Sequence, residues 1–445
     1  MSFFRAVLQI MCHKTYHGSL RLCVPSAPQV ANRSGRVFLF LLLGAFLLLP
    51  SWGFGEGQHA YIPRYAKGFS AEPLGEGWHL AVRDPEDPTR EWNYLLVPRE
   101  QRGKALISPD WKEIPLPLER TVLLATSYVS GLEDLGVLDS VVGVGNASYL
   151  HSPELRRRLK EGDAREVGDD LALDLERLVA LGSDAIFWYA PYQEVQGEYQ
   201  RLQRLGLPLV VTTEHREAHP LGRGEWLVFL GFFFGKEEEA RKMFREREER
   251  YRELVSLGAS ASLRPKVFGG FPFGDTWYMP GGENFQARYV EDAGGDYLWK
   301  DLPGSGTWPL DFETVLHRGA GGDFWINAPD WSSLEKALGE NSRYGHFRAF
   351  REGRVYSNAA RTNPQGGNDY HESGVLHPER ILGDLLHILH PELLEEHELY
   401  YYRKIPLKEP EELPEHREFQ KAQEAQEIRE SAKPEDTEDT KEKKP

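Results

Sequence analysis

The stretch Leu173-Asp-Leu-Glu-Arg-Leu-Val-Ala-Leu181, closing on Asp184-Ala-Ile-Phe-Trp188, returns in altered form as Leu310-Asp-Phe-Glu-Thr-Val-Leu316, closing on Asp323-Phe-Trp-Ile-Asn327. Each copy predicts an N-capping Asp, a short helix and an apolar strand entered from a second Asp. The copies are too far apart for a solenoid, whose units recur every ~20–50 residues. They predict two similarly built α/β lobes. Each lobe presents one Glu, Glu176 or Glu313, in the first turn of an equivalent helix. A carboxylate there is favoured by the helix dipole and stays charged at the surface. Matching carboxylates on two lobes suit a clamp that a cationic partner reads from outside.

Working outward, apolar strand-length segments alternate with helical ones. Strands are predicted at Thr121–Thr126, Val141–Val144, Ala185–Tyr189 and Leu207–Thr212, with helices at Tyr128–Leu135, Asp174–Leu181 and Val195–Leu205. That alternation marks a parallel sheet covered on both faces. From Gly235 the run Lys-Glu-Glu-Glu-Ala-Arg-Lys-Met-Phe through Leu254-Val255 has its apolar residues at helical spacing and an acidic first turn. About twenty helical residues span ~30 Å, enough to cross between lobes. A second alternation follows: strands at Lys266–Phe271, Trp277–Met279, Phe324–Asn327 and Val355–Asn358, and helices at Asn284–Ala293, Asp311–Leu316, Ser333–Leu338 and Gly374–His390.

The fold class is therefore α/β: two Rossmann-like lobes joined by one long α-helix, with a ligand cleft between them. The domain boundaries expected are 1–55 for an export segment, 56–118 for a β-rich, hairpin-like extension and 119–234 for the first lobe. The connecting helix takes 235–258, the second lobe 259–404, and a charged tail without apolar periodicity 405–445.

A formal net charge of −16 excludes a nucleic-acid partner, because no basic stripe survives that excess of carboxylates. The basic residues Arg5, Lys14, Arg21, Arg33 and Arg36 precede an apolar run from Val37 to Leu49, and Gly53 and Gly55 suit a cleavage site. The run is shorter than the ~20 residues of a spanning helix, so a signal peptide is expected, with a retained N-terminal anchor as the alternative. The long basic stretch leaves Met11 or a later residue as an alternative start. Cys12 and Cys23 both precede the apolar run, so a processed chain would carry no disulfide, thiolate metal site, cysteine nucleophile or lipid-modified cysteine.

Several of these segments, in order from Arg120 to about Tyr402, carry a resemblance. They are Arg120-Thr-Val-Leu-Leu-Ala-Thr-Ser, Leu135-Gly-Val-Leu-Asp-Ser-Val-Val-Gly-Val, Val167-Gly-Asp, Asp174-Leu-Glu-Arg-Leu-Val-Ala-Leu and Leu205-Gly-Leu-Pro-Leu-Val-Val. Glu291-Asp-Ala-Gly-Gly-Asp-Tyr-Leu-Trp-Lys-Asp and Trp308-Pro-Leu-Asp-Phe-Glu-Thr-Val-Leu complete the set. Together they resemble the periplasmic binding proteins of iron-siderophore, haem and vitamin B12 ABC importers. The resemblance implies two lobes bridged by one helix and a monomeric receptor. It implies no intrinsic cofactor, and an iron chelate, haem or corrinoid as cargo. It also implies that Glu176 and Glu313 dock on arginines of the membrane permease, and that Trp308 faces the cleft.

Loops that follow strand ends are where ligands bind in such sheets. Those loops are aromatic here: Trp188, Tyr189 and Tyr192 in one, Trp277 and Tyr278 in another. Broad aromatic walls suit a large planar or macrocyclic ligand, although packing in a core is the commoner fate of a Trp. A polar loop, Asn358 to Glu372, offers Arg361 to neutralise an anionic chelate and Tyr370 or His371 to ligate iron or stack; a surface or capping role is the plain alternative for His371. His215 with His219, and His387 with His390, have metal-compatible spacing, but no set of ligands from both lobes can be assembled. A bare Zn or Mn receptor therefore stands as the alternative, beside a membrane-anchored ligand sensor. Enzyme classes find no support: Gly-x-Ser-x-Gly, a phosphate loop ending Gly-Lys-Ser/Thr and His-Glu-x-x-His are all missing.

Overall fold

A computed structural model describes residues 59–104, 108, 111–191 and 195–409. The expected export segment, Tyr192 and most of the expected tail lie outside the described residues.

The first lobe is built on five parallel strands: β5 (Thr121–Leu123), β6 (Val141–Val144), β7 (Arg165–Glu166), β8 (Ala185–Tyr189) and β9 (Leu209–Thr212), in the order β9-β8-β5-β6-β7. In β8, Ala185 and Phe187 enter one core and Ile186 and Trp188 another, so the sheet is buried on both faces, as its near-continuous apolar strands require. Helix α1 (Leu175–Leu181) is capped by Asp174, whose side chain accepts the N–H of Arg177 at 2.9 Å.

Two helices then leave the lobe. Helix α2 (Pro220–Phe234) was not foreseen, because it is apolar all round and carries no amphipathic period. It is buried for almost its whole length, and at 15 residues it is too short to cross a membrane; no described helix is long and apolar enough to do so. Gly235 at φ 63° ends it, and α3 (Glu237–Ala259) packs back against it. The pair approaches closely because Gly231 lacks a side chain: a Cβ there would sit 2.7 Å from that of Ala240. Helix α3 is the expected connection to the second lobe, its boundaries shifted by one or two residues.

The second lobe has a short parallel sheet, β13-β10-β15, from β10 (Lys266–Phe268), β13 (Asp296–Tyr297) and β15 (Phe324–Trp325). An antiparallel sheet, β11-β12-β14, lies beside it, from β11 (Phe271–Phe273), β12 (Thr276–Pro280) and β14 (Thr307–Asp311). The lobe's helices include α4 (Phe285–Asp292), α5 (Phe312–Gly319), α6 (Asp369–Glu372) and α7 (Pro378–Leu389), with shorter ones at Leu334–Glu340 and Arg348–Arg351. Asp311 caps α5, accepting the N–H of Thr314 at 2.7 Å, so the two copies of the opening repeat have the same local construction.

The segment read as a hairpin-like extension is a four-stranded sheet, β1 (Phe69–Leu74), β2 (Gly77–Asp84), β3 (Asp87–Pro98) and β4 (Lys112–Leu116), in that order. It has no core of its own. Phe69 and Trp78 pack on Trp226, Phe229 and Phe232 of α2. The strap before β1 is held by carboxylates on α2, on α3 and in the loop that leads into α2. Glu225 accepts the hydroxyl of Tyr61 (2.7 Å) and the main-chain N–H groups of Arg64 (2.9 Å), Tyr65 (2.8 Å) and Ala66 (2.9 Å). Glu217 accepts those of Lys67 (2.9 Å) and Gly68 (2.8 Å), and Glu248 on α3 accepts Tyr65 Oη (2.7 Å) and pairs with Arg64.

Glu225→Ala strands three main-chain donors where the carboxylate is 2% exposed. The loss is expected to be on the order of 3–5 kcal/mol in denaturant unfolding, with new protease cleavage within 59–68. An unchanged transition midpoint would show that the strap contributes nothing.

Candidate functional site

The candidate residues sit on turns and strand ends of both lobes. From the first lobe come the turn at Thr126–Tyr128 after β5, Tyr189 at the end of β8, and the turn at Glu214–Arg216 after β9. Thr212 and Ser127 donate to the buried Glu214 carboxylate at 2.6 and 3.0 Å, fixing these turns together. The half-buried Tyr189 ring meets His215 edge-on, centroids 5.8 Å apart. From the second lobe come Phe271 and Tyr278, half-buried and stacked at 5.8 Å, and Asn327, which follows β15 with φ 54°. Asn327 is held by Tyr402 Oη (2.7 Å) and donates to Gln286 at 3.0 Å. Tyr402 is placed by Asp384, fully buried, which accepts the N–H groups of Tyr400 (2.9 Å), Tyr401 (2.7 Å) and Tyr402 (3.0 Å).

His371, in α6, is exposed to solvent, and its pKa is lowered, by the surrounding protein first and by the nearby Arg223 charge second. It stands edge-on to Tyr370 at 5.1 Å. The Arg223 guanidinium lies over Phe285, the first residue of α4, at 4.1 Å from the ring centroid. Sequence inspection missed Arg223 and Phe285. Their only signal was a lone Arg after His219-Pro-Leu-Gly, in a helix that was itself missed.

Two aromatic expectations, Trp188 and Trp277, are corrected. Trp188 is 0% exposed and packs near Tyr199 in the core on the outer side of the first sheet. Trp277 is 1% exposed, packed among Phe268, Phe312, Trp325 and Phe347, with its indole N–H on the Gly269 carbonyl at 3.2 Å. Strand alternation sends these side chains inward and their neighbours Tyr189 and Tyr278 outward. Trp308 is half-buried, but it pairs with Met279, so its ring leaves the sheet on the face of Met279 and Trp277, opposite Tyr278. Its indole N–H is bonded to the Pro303 carbonyl at 3.0 Å.

The loop carrying Arg361 is an interlobe clasp. Asn363 Nδ2 donates to the Leu150 carbonyl at 2.7 Å, and a Cβ on Gly367 would lie 2.2 Å from the Tyr149 carbonyl. Glu372 accepts the N–H groups of His151 (2.7 Å) and Ser152 (2.8 Å). Arg361 is spent on Asp369, with Nε 2.6 Å from the carboxylate, so it is not a free cation for a ligand. The histidine pairs are structural too. His219 caps α2, accepting Leu221 N–H at 3.0 Å; His387 bonds the Leu394 carbonyl at 2.9 Å; His390 lies 3.3 Å from the Gly294 carbonyl. The one described trio with metal-like convergence is His151, Asp369 and Glu372, within 4.8 Å of one another.

Glu176 and Glu313 are both exposed, each the second residue of its Asp-capped helix. Glu313 lies 3.2 Å from Arg343, also exposed, and rims a cavity of about 410 Å³ formed with Trp299, Leu302, Leu310, Thr314, His317 and Arg318.

These two lobes with their helical bridge carry a family signature: residues 122–362 match the model of the periplasmic binding proteins, and the chain belongs to that family. An uncharacterised lipoprotein of Methanocaldococcus jannaschii is 25% identical over 337 residues, 74% of this chain and 76% of the relative. Among solved structures, the vitamin B12-binding protein BtuF of Vibrio cholerae is similar at 14% identity and TM-score 0.45, covering 63% of this chain and 99% of that one. The haem-binding protein HutB of the same organism is similar at 14% identity and TM-score 0.46, covering 59% and 98%.

Burial, reinforced by the charges of Asp369 and Glu133, lifts the Glu372 pKa from 4.5 to about 8 against the pull of its two amides. A folded-state pKa above the unfolded one means that its stabilising contribution is complete below pH 4.5 and lost as pH rises through about 8. The stability gap between the wild type and Glu372→Gln is therefore expected to narrow between pH 5 and 8.5 in thermal unfolding. A gap constant with pH would mean that the carboxylate stays ionised throughout.

Proposed function

We propose that this protein is a periplasmic solute receptor that captures an iron chelate, haem or a corrinoid between the lobes and delivers it to the permease of an ABC importer. The observation that carries the delivery step is the equivalence of Glu176 and Glu313: same helix position, same Asp cap, both exposed, one per lobe. Two separated carboxylates give a permease two anchors for bidentate arginine contacts. Arg343 would exchange its exposed pairing with Glu313 for the permease contact at little cost, since such surface pairs contribute ~0–1 kcal/mol. Capture falls to Tyr189, Tyr278 and His371, with Phe271 beside Tyr278. Rings presented by strand ends on both lobes bind a large planar or macrocyclic chelate with little loss of side-chain freedom. An N-terminal export signal, cleaved or kept as an anchor, would place the receptor outside the cytoplasmic membrane.

The trio His151, Asp369 and Glu372 favours a second function, capture of a bare Zn or Mn ion. It is the weaker candidate, because Asp369 is neutralised by Arg361 and both Glu372 oxygens are taken by main-chain amides. A titration panel of ferric chelates, haemin, cobalamin, Zn²⁺ and Mn²⁺, read by tryptophan fluorescence, separates the two. Binding of the free ions alone would overturn the chelate function.

In the same cells, the double variant Glu176→Ala with Glu313→Ala is expected to bind cargo with unchanged Kd and to lose at least ten-fold in uptake. Uptake at the wild-type rate would remove both residues from docking.

A further inference from the structure

The cavity of about 410 Å³ beside Glu313 has apolar walls: Trp299, 1% exposed, and the half-buried Leu302 and Leu310. Exposed residues of α5 complete its lining, Glu313, His317 and Arg318 among them. Arg318 is already answered, lying over Trp299 at 5.3 Å and pairing with Asp301 at 3.2 Å. Glu313 meets the exposed Arg343, whose guanidinium lies 3.2 Å from its carboxylate and 4.1 Å from the centroid of the Phe312 ring. The chain's own arginine thus shows the chemistry complementary to this rim: a fork on the carboxylate, with its face on apolar surface. The first lobe differs at the matching place. Leu173, the counterpart of Leu310, is buried, and apolar side chains stand in solvent instead: Leu171 at 63% exposure and Val179 at 53%, one helical turn from Glu176. Each docking glutamate therefore has apolar surface beside it, hollow in the second lobe and raised in the first. Such surface left in water beside a charged residue is what an interface with a protein partner covers.

We propose that the cavity beside Glu313 is a socket for an apolar side chain of the permease, carried one helical turn from the arginine that meets Glu313. The arginine displaces Arg343 from the rim while its apolar neighbour enters between Leu302, Leu310 and Trp299. This rests on the docking function proposed above. It goes beyond the paired glutamates in giving the second lobe an uncharged contact, made in a hollow, that the buried Leu173 does not provide in the first.

The test places the photo-reactive amino acid benzoylphenylalanine at position 317 of the full chain, in cells that express the importer. Irradiation is expected to cross-link a membrane-spanning permease subunit. The linked peptide should hold an arginine and, three or four residues from it, a large apolar residue. Uptake of haemin, cobalamin and ferric citrate is measured in the same cells. His317→Trp fills the mouth of the socket and is expected to reduce uptake of the imported probe roughly ten-fold or more, the worth of burying one apolar side chain, with an unchanged Kd for that probe. His317→Ala leaves the socket open and should keep uptake within about two-fold of the wild type. If His317→Trp lowers the thermal midpoint, or if the wild type imports none of the three probes, the cross-link decides. Wild-type uptake by a stable His317→Trp overturns the socket, as does a cross-link only to a second copy of this chain, or none at all. If the Glu176→Ala with Glu313→Ala variant still loses uptake in that case, the docking glutamates stand without it. Wild-type uptake by both variants sinks the socket and the docking function together.

Discussion

Buried carboxylates that gather main-chain N–H groups from distant parts of the chain hold this molecule in shape. Glu225 and Glu217 collect the strap at 61–68, Asp384 collects 400–402, and Glu372 collects 151–152 from the other lobe. A short parallel sheet of two- and three-residue strands makes few ladder bonds, and its connecting loops carry amides that water cannot reach. A carboxyl group, with two acceptor oxygens, satisfies several such donors at once. The same bonds bring the carboxylate's own desolvation within tolerable bounds.

The candidate site inherits its form from these anchors. Asp384 sets Tyr402, Tyr402 sets Asn327, and the Glu372 clasp fixes the backbone beside His371. Tyr189 and Tyr278 stand half-buried at strand positions flanked by these anchored segments. Arg361 already pairs with Asp369, and Trp277 is buried in the second-lobe core.

Much of the architecture was legible from periodicity. Val141–Val144 and Ala185–Tyr189 are strands at the residues where apolar runs placed them, and α3 lies within two residues of its amphipathic pattern. Both Asp caps of the repeat form as their spacing demands. Helix α2 escaped because an element buried on every side has no polar face to mark its period. The β-rich character of 56–118 was legible, but the strap at 61–68 escaped because its partners, Glu225 and Glu248, lie more than 150 residues away along the chain.

The site was legible only in part. That aromatics would crowd the strand ends followed from composition; which of each adjacent pair faces out depends on strand register, and that sent Trp188 and Trp277 inward while leaving Tyr189 and Tyr278 half-exposed. The sequence alone determined the local chemistry: caps, strand lengths, the helical bridge and the paired glutamates, because each depends on residues a few positions apart. Only the tertiary structure decided which charges are spent and which are free. Arg361 and Arg223 are alike as letters. One meets Asp369 and the other, among the described residues, lies over the ring of Phe285, a difference made by the packing of segments far apart in the chain.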